Sequence, residues 1–183
     1  MEREHIVILR DFLKMLTSSS ITRILDAGSG KTSLSEISAY FPDAQIDAVV
    51  YPGDERKLSA IRSMETQRLS TLELDLCNAE FSCAYDLVVA HLLLGEASKF
   101  EHTYQNLLER LVSIPAQYFI IIDYLEDPDV DETAIEPLCK TKKLSVVKRI
   151  CAQNANPQAW AAFTGTHNFG YLLMQTSHKN RYP

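Results

Sequence analysis

Asp26-Ala27-Gly28-Ser29-Gly30 is the stretch of this sequence whose residue types are best placed to hold a ligand. Two glycines separated by one residue let a backbone turn tightly and approach a bound molecule closely, and a helix after such a turn offers free amide groups at its amino end. The adjoining Gly30-Lys31-Thr32 invites comparison with a phosphate-gripping P-loop, but that loop needs a glycine five positions before Gly30, where this chain has Leu25. Without that glycine the loop cannot wrap phosphates. A dinucleotide-binding turn would use Gly28, Gly30 and Ser33; Ser33 is small enough for the third position, although it is not the usual residue there. His91, at the end of the apolar run YDLVVAH, is the best-placed candidate for a general base. It is expected to emerge at the mouth of a cleft with a pKa near neutrality, against the plainer alternative of a structural histidine.

The elements that must position these residues follow a regular rhythm. EREHIVILRDFLKML places Ile6, Leu9, Leu13 and Leu16 at helical spacing, which predicts an amphipathic helix within residues 1–20. ITRILDA then reads as a strand ending at the glycine turn, and KTSLSEISAYF as the helix after it. QIDAVVY, STLELDL, YDLVVAHLLL and AQYFIIIDY continue as strands, alternating with helices at ERKLSAIRSM and KFEHTYQNLLERLVSI. The near-continuous apolar runs are those of parallel strands covered on both faces. DPDVDETAIEPLCKTKK is expected to be a loop and a short acidic helix interrupted near Pro137. LSVVKRICA and FGYLLMQT, separated by a stretch rich in turn formers, predict a closing antiparallel hairpin. The expected fold is α/β: a doubly wound, mostly parallel seven-stranded sheet over residues 21–177 with a C-terminal antiparallel hairpin, followed by a frayed tail at 178–183.

In such a sheet a ligand sits at the carboxyl ends of the strands, where the strand order reverses. The run ILDAGSGKTSL, an aliphatic strand ending in an acid and then Gly-x-Gly, resembles the glycine-rich motif of Rossmann-like (class I) S-adenosylmethionine-dependent methyltransferases. The resemblance extends through LELDL, YDLVVAHLLLGEASKFEHTYQNLLERL and YFIIIDYLEDP to the closing hairpin, and it rests on the order and spacing of motifs that are individually weak. It implies S-adenosylmethionine as cofactor. Asp26 would then lie near the cofactor's amino group, the backbone at Gly28 and Gly30 would pass against it, and Asp75 would accept a hydrogen bond from the adenine amino group. Ala90 and His91, expected just past the fourth strand, would border the methionine part and the substrate. The pattern is broken at the tip of the second strand. Family members usually carry an acid there for the ribose hydroxyls, whereas this chain has Val50, which leaves Tyr51 or Asp54 to substitute.

Composition bounds these readings. The 183 residues, 46% hydrophobic and 23% charged, fit one globular domain and leave no room for a separate substrate domain. Eighteen basic against 24 acidic residues give a net charge of −6 with no concentrated basic block, which argues against nucleic acid as a partner. No apolar run approaches the roughly 20 residues of a membrane span. Cys77, Cys83, Cys139 and Cys151 form no Cys-x-x-Cys pair and read as reduced thiols of a cytoplasmic protein. His102, His167 and His178 show no metal-ligand spacing, so no metal is expected; Asp123, Glu126 and Asp127 match the acid cluster of metal-dependent catechol-type enzymes only partly. Trp160, Phe163, Phe169 and Tyr171 are expected to pack the hairpin rather than line a substrate pocket. The expected activity is methyl transfer to a small molecule or an exposed protein group. The alternatives are a non-catalytic interaction domain on the same fold, or a dinucleotide-binding oxidoreductase, for which no hydride-transfer site is recognisable.

Overall fold

The structure is a computed structural model that describes residues 3–124, 131–151 and 168–176. Its strands are β1 (Arg23–Ala27), β2 (Gln45–Val50), β3 (Leu69–Glu73), β4 (Tyr85–His91), β5 (Ala116–Tyr124), β6 (Leu144–Cys151) and β7 (Asn168–Gln175). The helices are α1 (Glu4–Leu16), α2 (Lys31–Tyr40), α3 (Glu55–Arg62), α4 (Tyr104–Leu111) and α5 (Ile135–Lys142). One seven-stranded sheet runs in the order β3-β2-β1-β4-β5-β7-β6. The first five strands are parallel, while β7 pairs antiparallel with both β5 and β6. This is the expected doubly wound sheet with its closing hairpin. The order reverses between β1 and β4, which puts the crevice expected of such sheets at the end of β1.

Alternation along the central strands sorts side chains into two cores. Ile24, Leu87, Val89, Ile120 and Ile122 meet α1, α2 and α3 on one face, and Leu25, Val88, Ala90, Phe119 and Ile121 meet α4 and α5 on the other. Phe169 and Tyr171 on β7 are both buried in the second core, as hairpin packing requires, while Trp160 and Phe163 lie outside the described residues. Two local expectations are corrected. Pro137 is the third residue of α5 and does not interrupt it, because the first turn of a helix has amide groups without intrahelical partners, so a missing N–H costs nothing there. β3 ends at Glu73, so Asp75 lies two residues beyond the strand rather than within it.

α1 docks through Ile8, Leu9, Phe12, Leu13 and Leu16 against the sheet, and over β7 the fit leaves no slack. A Cβ on Gly170 would stand 2.5 Å from Ile8 Cγ2 and 2.7 Å from Phe12 Cε2. At the start of α1, the Glu4 carboxylate accepts a hydrogen bond from the Asn168 amide at 2.9 Å. His5 Nδ1 lies 2.9 Å from His91 Nε2, their rings 4.9 Å apart. Burial, reinforced by mutual repulsion on protonation, holds His91 down to about 3, and burial together with Arg3 holds His5 down to about 4.

These contacts yield two expectations. Gly170→Ala should destabilise the fold by about 1–3 kcal/mol in chemical denaturation, the usual cost of overpacking a rigid contact. Both histidines have folded pKa values below the unfolded value of 6.5, so they contribute stability above that pH and lose it as pH falls toward about 4 and 3. The stability difference between wild type and His91→Leu should therefore shift in favour of the variant between pH 6.5 and 4.5; a difference that stays flat over that interval would show the pair to be solvated.

Candidate active site

β1 delivers Asp26 to the switch point with no exposure to solvent. The chain then turns at Gly28, whose φ of +72° lies in the left-handed region that glycine adopts without strain. Space is as restrictive as conformation, because a Cβ at Gly28 would stand 2.5 Å from Leu93 Cδ1. Gly30 is the residue preceding α2, and its amide donates to Ser33 Oγ at 3.2 Å. The same hydroxyl donates to Asp26 Oδ2 at 2.9 Å, so the third position of the glycine motif anchors the acid at the end of β1. Asp26 Oδ1 is buried without a hydrogen-bond partner among the described residues. Desolvation drives the carboxyl up to about 7, opposed by hydrogen bonding and by the charge of Lys57.

A narrow cleft lies beside this turn. Gly28, Tyr51, Asp54 and Asp75, four of the residues expected at a cofactor site, line it together with Lys57 and His102. Tyr51 stands at the tip of β2 with its ring edge-on to His102, the centroids 6.4 Å apart. Asp54 caps α3, its Oδ1 accepting from the Lys57 amide at 3.0 Å. Val50 is fully buried in the core on the α1 side, so its side chain does not border the cleft. Ala90 is buried in the α4-side core and is not among the lining residues.

Asp75 holds the far wall in a dense set of contacts. Its Oδ1 accepts from the Cys77 amide at 2.9 Å, its Oδ2 accepts from Asn78 Nδ2 at 2.6 Å, and His102 Nε2 lies 3.0 Å from each oxygen. Burial and the Asp75 charge push the Cys77 thiol up. Asp75, Cys77 and His102 thus present one oxygen, one sulfur and one nitrogen, all within 4.8 Å of one another. Nothing in the sequence spacing of His102 announces this, because it comes from the segment before α4, 27 residues from Asp75. Lys57 was equally silent: it lies one turn after Asp54 on α3, and its Nζ donates to the Gly28 carbonyl at 3.3 Å inside the cleft.

His91 differs most from its expected setting. It and Ala90 are the last two residues of β4 rather than residues beyond it, and alternation sends His91 toward α1. There it meets His5 and is held neutral, far below the near-neutral pKa expected at a cleft mouth. Asp123 is fully buried, with Oδ2 accepting from the Leu94 and Gly95 amides at 2.7 and 3.2 Å, so it anchors the short 3-10 helix Leu94–Phe100. Glu96 pairs with Lys99 on the surface at 2.9 Å. Glu126, Asp127, His167 and His178 lie outside the described residues. No helix among the described residues is long and apolar enough to cross a membrane.

No family model and no curated protein matches the sequence. Solved structures do match its fold. The N-methyltransferase NodS from Bradyrhizobium japonicum, in complex with S-adenosyl-L-homocysteine, is similar with a TM-score of 0.68 and 14% identity over 96% of this chain and 89% of that one. Magnesium protoporphyrin IX methyltransferase from Synechocystis, with bound S-adenosylhomocysteine, gives a TM-score of 0.66 and 10% identity over 94% and 84% of the two chains. The 1,6-didemethyltoxoflavin-N1-methyltransferase of Burkholderia thailandensis gives 0.63 and 15% identity over 92% and 78%. With its strand order, its reversed β7 and its glycine turn at the switch point, the chain has the class I, Rossmann-like fold of S-adenosylmethionine-dependent methyltransferases.

Proposed function

We propose that this chain binds S-adenosylmethionine in the cleft beside Gly28 and transfers its methyl group to a small molecule or an exposed protein group. The observation that carries this reading is Asp26: a carboxylate oxygen, buried and without a partner, at the end of the strand where ligands of this fold lie. An orphaned buried acceptor is costly unless a donor arrives, and a cationic amino group is the donor that a carboxylate suits best. The residues present therefore fit the cofactor at this end. Gly28 lets the backbone pass close along the cleft, with Gly30 behind it at the start of α2, Tyr51 and Asp54 stand in for the missing acid at Val50, and Asp75 faces the adenine end. The bound cofactor supplies an electrophilic methyl group on a sulfonium. What the chain must add is position, by holding an acceptor in line and excluding water. Ala90 stays in the α4-side core and His91, at the end of β4, turns toward α1, where burial beside His5 holds it neutral, so proton transfer from an acceptor falls to neither of them.

A second reading, a non-catalytic domain on the same fold, is favoured by Val50, whose side chain is committed to the opposite core and leaves no carboxylate at the strand tip. Calorimetric titration with S-adenosylhomocysteine and with NAD separates the readings. The proposal expects micromolar binding of the former and none of the latter; millimolar or absent binding of S-adenosylhomocysteine would overturn it, and tight NAD binding would restore the oxidoreductase. Asp26→Asn distinguishes a ligand-holding acid from a structural one. Because the folded pKa of Asp26 is raised from 3.8 to about 7, stability falls as pH rises between those values and the full cost is present at pH 8, so the variant should be at least as stable as wild type there. It should nevertheless bind S-adenosylhomocysteine about tenfold more weakly, the loss of one charge-assisted hydrogen bond.

A further inference from the structure

We propose that Asp75, Cys77 and His102 form a binding site for a zinc-class divalent ion, which would clamp the end of β3 to the segment before α4 at the wall of the cleft. The three donors already lie within 4.8 Å of one another. Ligands bonded at roughly 2.0–2.3 Å stand roughly 3.5 Å apart around a tetrahedral ion, so small side-chain rotations close the set. The carboxylate is held in place before any ion arrives: the Cys77 amide and the Asn78 side chain each donate to it, the kind of outer contact that orients metal ligands. Asp75 and His102 are each about one-fifth exposed, buried enough to be ordered and open enough for an ion to enter. Arg110, the cation acting on Cys77, is tied by its guanidinium to the Leu76 and Ala79 carbonyls.

The donor set selects the ion. A thiolate, an imidazole and a carboxylate together favour zinc and cobalt over magnesium and calcium, which take oxygen ligands. Binding requires the Cys77 thiol to release its proton to solvent as the sulfur–metal bond forms, and His102 to give up the Nε2 proton that it donates to Asp75, by tautomerisation to Nδ1–H, so that the Nε2 lone pair can face the ion. Three protein ligands leave a fourth position for water. The site needs no cofactor to form, but Asp75 and His102 also line the cleft of the methyl-transfer reading, so an ion held here would compete with adenine for Asp75; cobalt binding without S-adenosylhomocysteine binding, or the reverse, tells the two readings apart.

Cobalt titration of the metal-stripped full chain tests it. One equivalent of Co²⁺ should produce a near-ultraviolet thiolate-to-cobalt charge-transfer band with tetrahedral visible absorption, displaced by Zn²⁺ and untouched by excess Mg²⁺. The band should disappear in Cys77→Ser and weaken at least tenfold in affinity in His102→Gln, and it should persist in Cys139→Ser and Cys151→Ser. Zn²⁺ should raise the Tm of wild type and leave that of Cys77→Ser unchanged, with far-ultraviolet circular dichroism confirming that each variant is folded. Absence of the band in wild type, or its survival in folded Cys77→Ser, would overturn the site. If Cys77→Ser does not fold, the same decision rests on His102→Gln, where unchanged cobalt affinity would overturn it.

Discussion

A carboxylate buried at the end of an apolar strand is expensive, and the organisation around Asp26 follows from that cost. Water is excluded from it by the same two-sided coverage that makes β1 a central parallel strand. Ser33 reaches back from α2 to satisfy one oxygen, which couples the start of the helix to the end of the strand, and the Lys57 charge comes from α3 across the cleft. The glycine turn lies between these supports, closed over by Leu93. Strand and helix are therefore coupled at a single carboxylate, α3 is tied to the turn through Lys57 and the Gly28 carbonyl, and the other oxygen of Asp26 has no partner among the described residues.

The periodicity of the chain was sufficient for the architecture because the apolar runs are long and the connecting helices amphipathic. AQYFIIIDY bounds β5 to the residue, while the spacing of Leu9, Leu13 and Leu16 shows that α1 exists and ends at Leu16 but places its start two residues early. The glycine turn could be read for the same reason: its residue types are tied to a local backbone need, and Gly28 does adopt the positive φ. Reading failed where partners come from distant segments. Whether His91 faces a cleft or a helix depends on strand parity and on what covers that face, and neither His5 nor the docking of α1 is a local property. His102 meets Asp75 and Cys77 only because α4 is packed beside the end of β3, and no spacing rule connects those positions.

The cleft has two walls of different character. On one side Tyr51 and Asp54 belong to the short turn after β2, which is glycine-containing and polar. On the other, Leu93 enters directly after Leu92, a non-glycine residue at φ 55° whose amide is held by the Ile122 carbonyl at 2.8 Å. Such a conformation costs of order 1–3 kcal/mol and persists only where its surroundings enforce it. That enforcement, coming from β5, makes the position of Leu93 over Gly28 a property of the sheet rather than of the loop.

β7 lies between β5 and β6 although it is the last strand in sequence, and it also forms the floor on which α1 packs. The first helix and the last strand therefore meet across almost the full length of the chain, as the bond from Asn168 to Glu4 records. During synthesis α1 emerges with its apolar face uncovered, and β6 has no sheet to join until its inner neighbour has left the ribosome. The edge of β5 thus stays unpaired until β7 has been made, an interval in which that edge and the face of α1 are open to other chains.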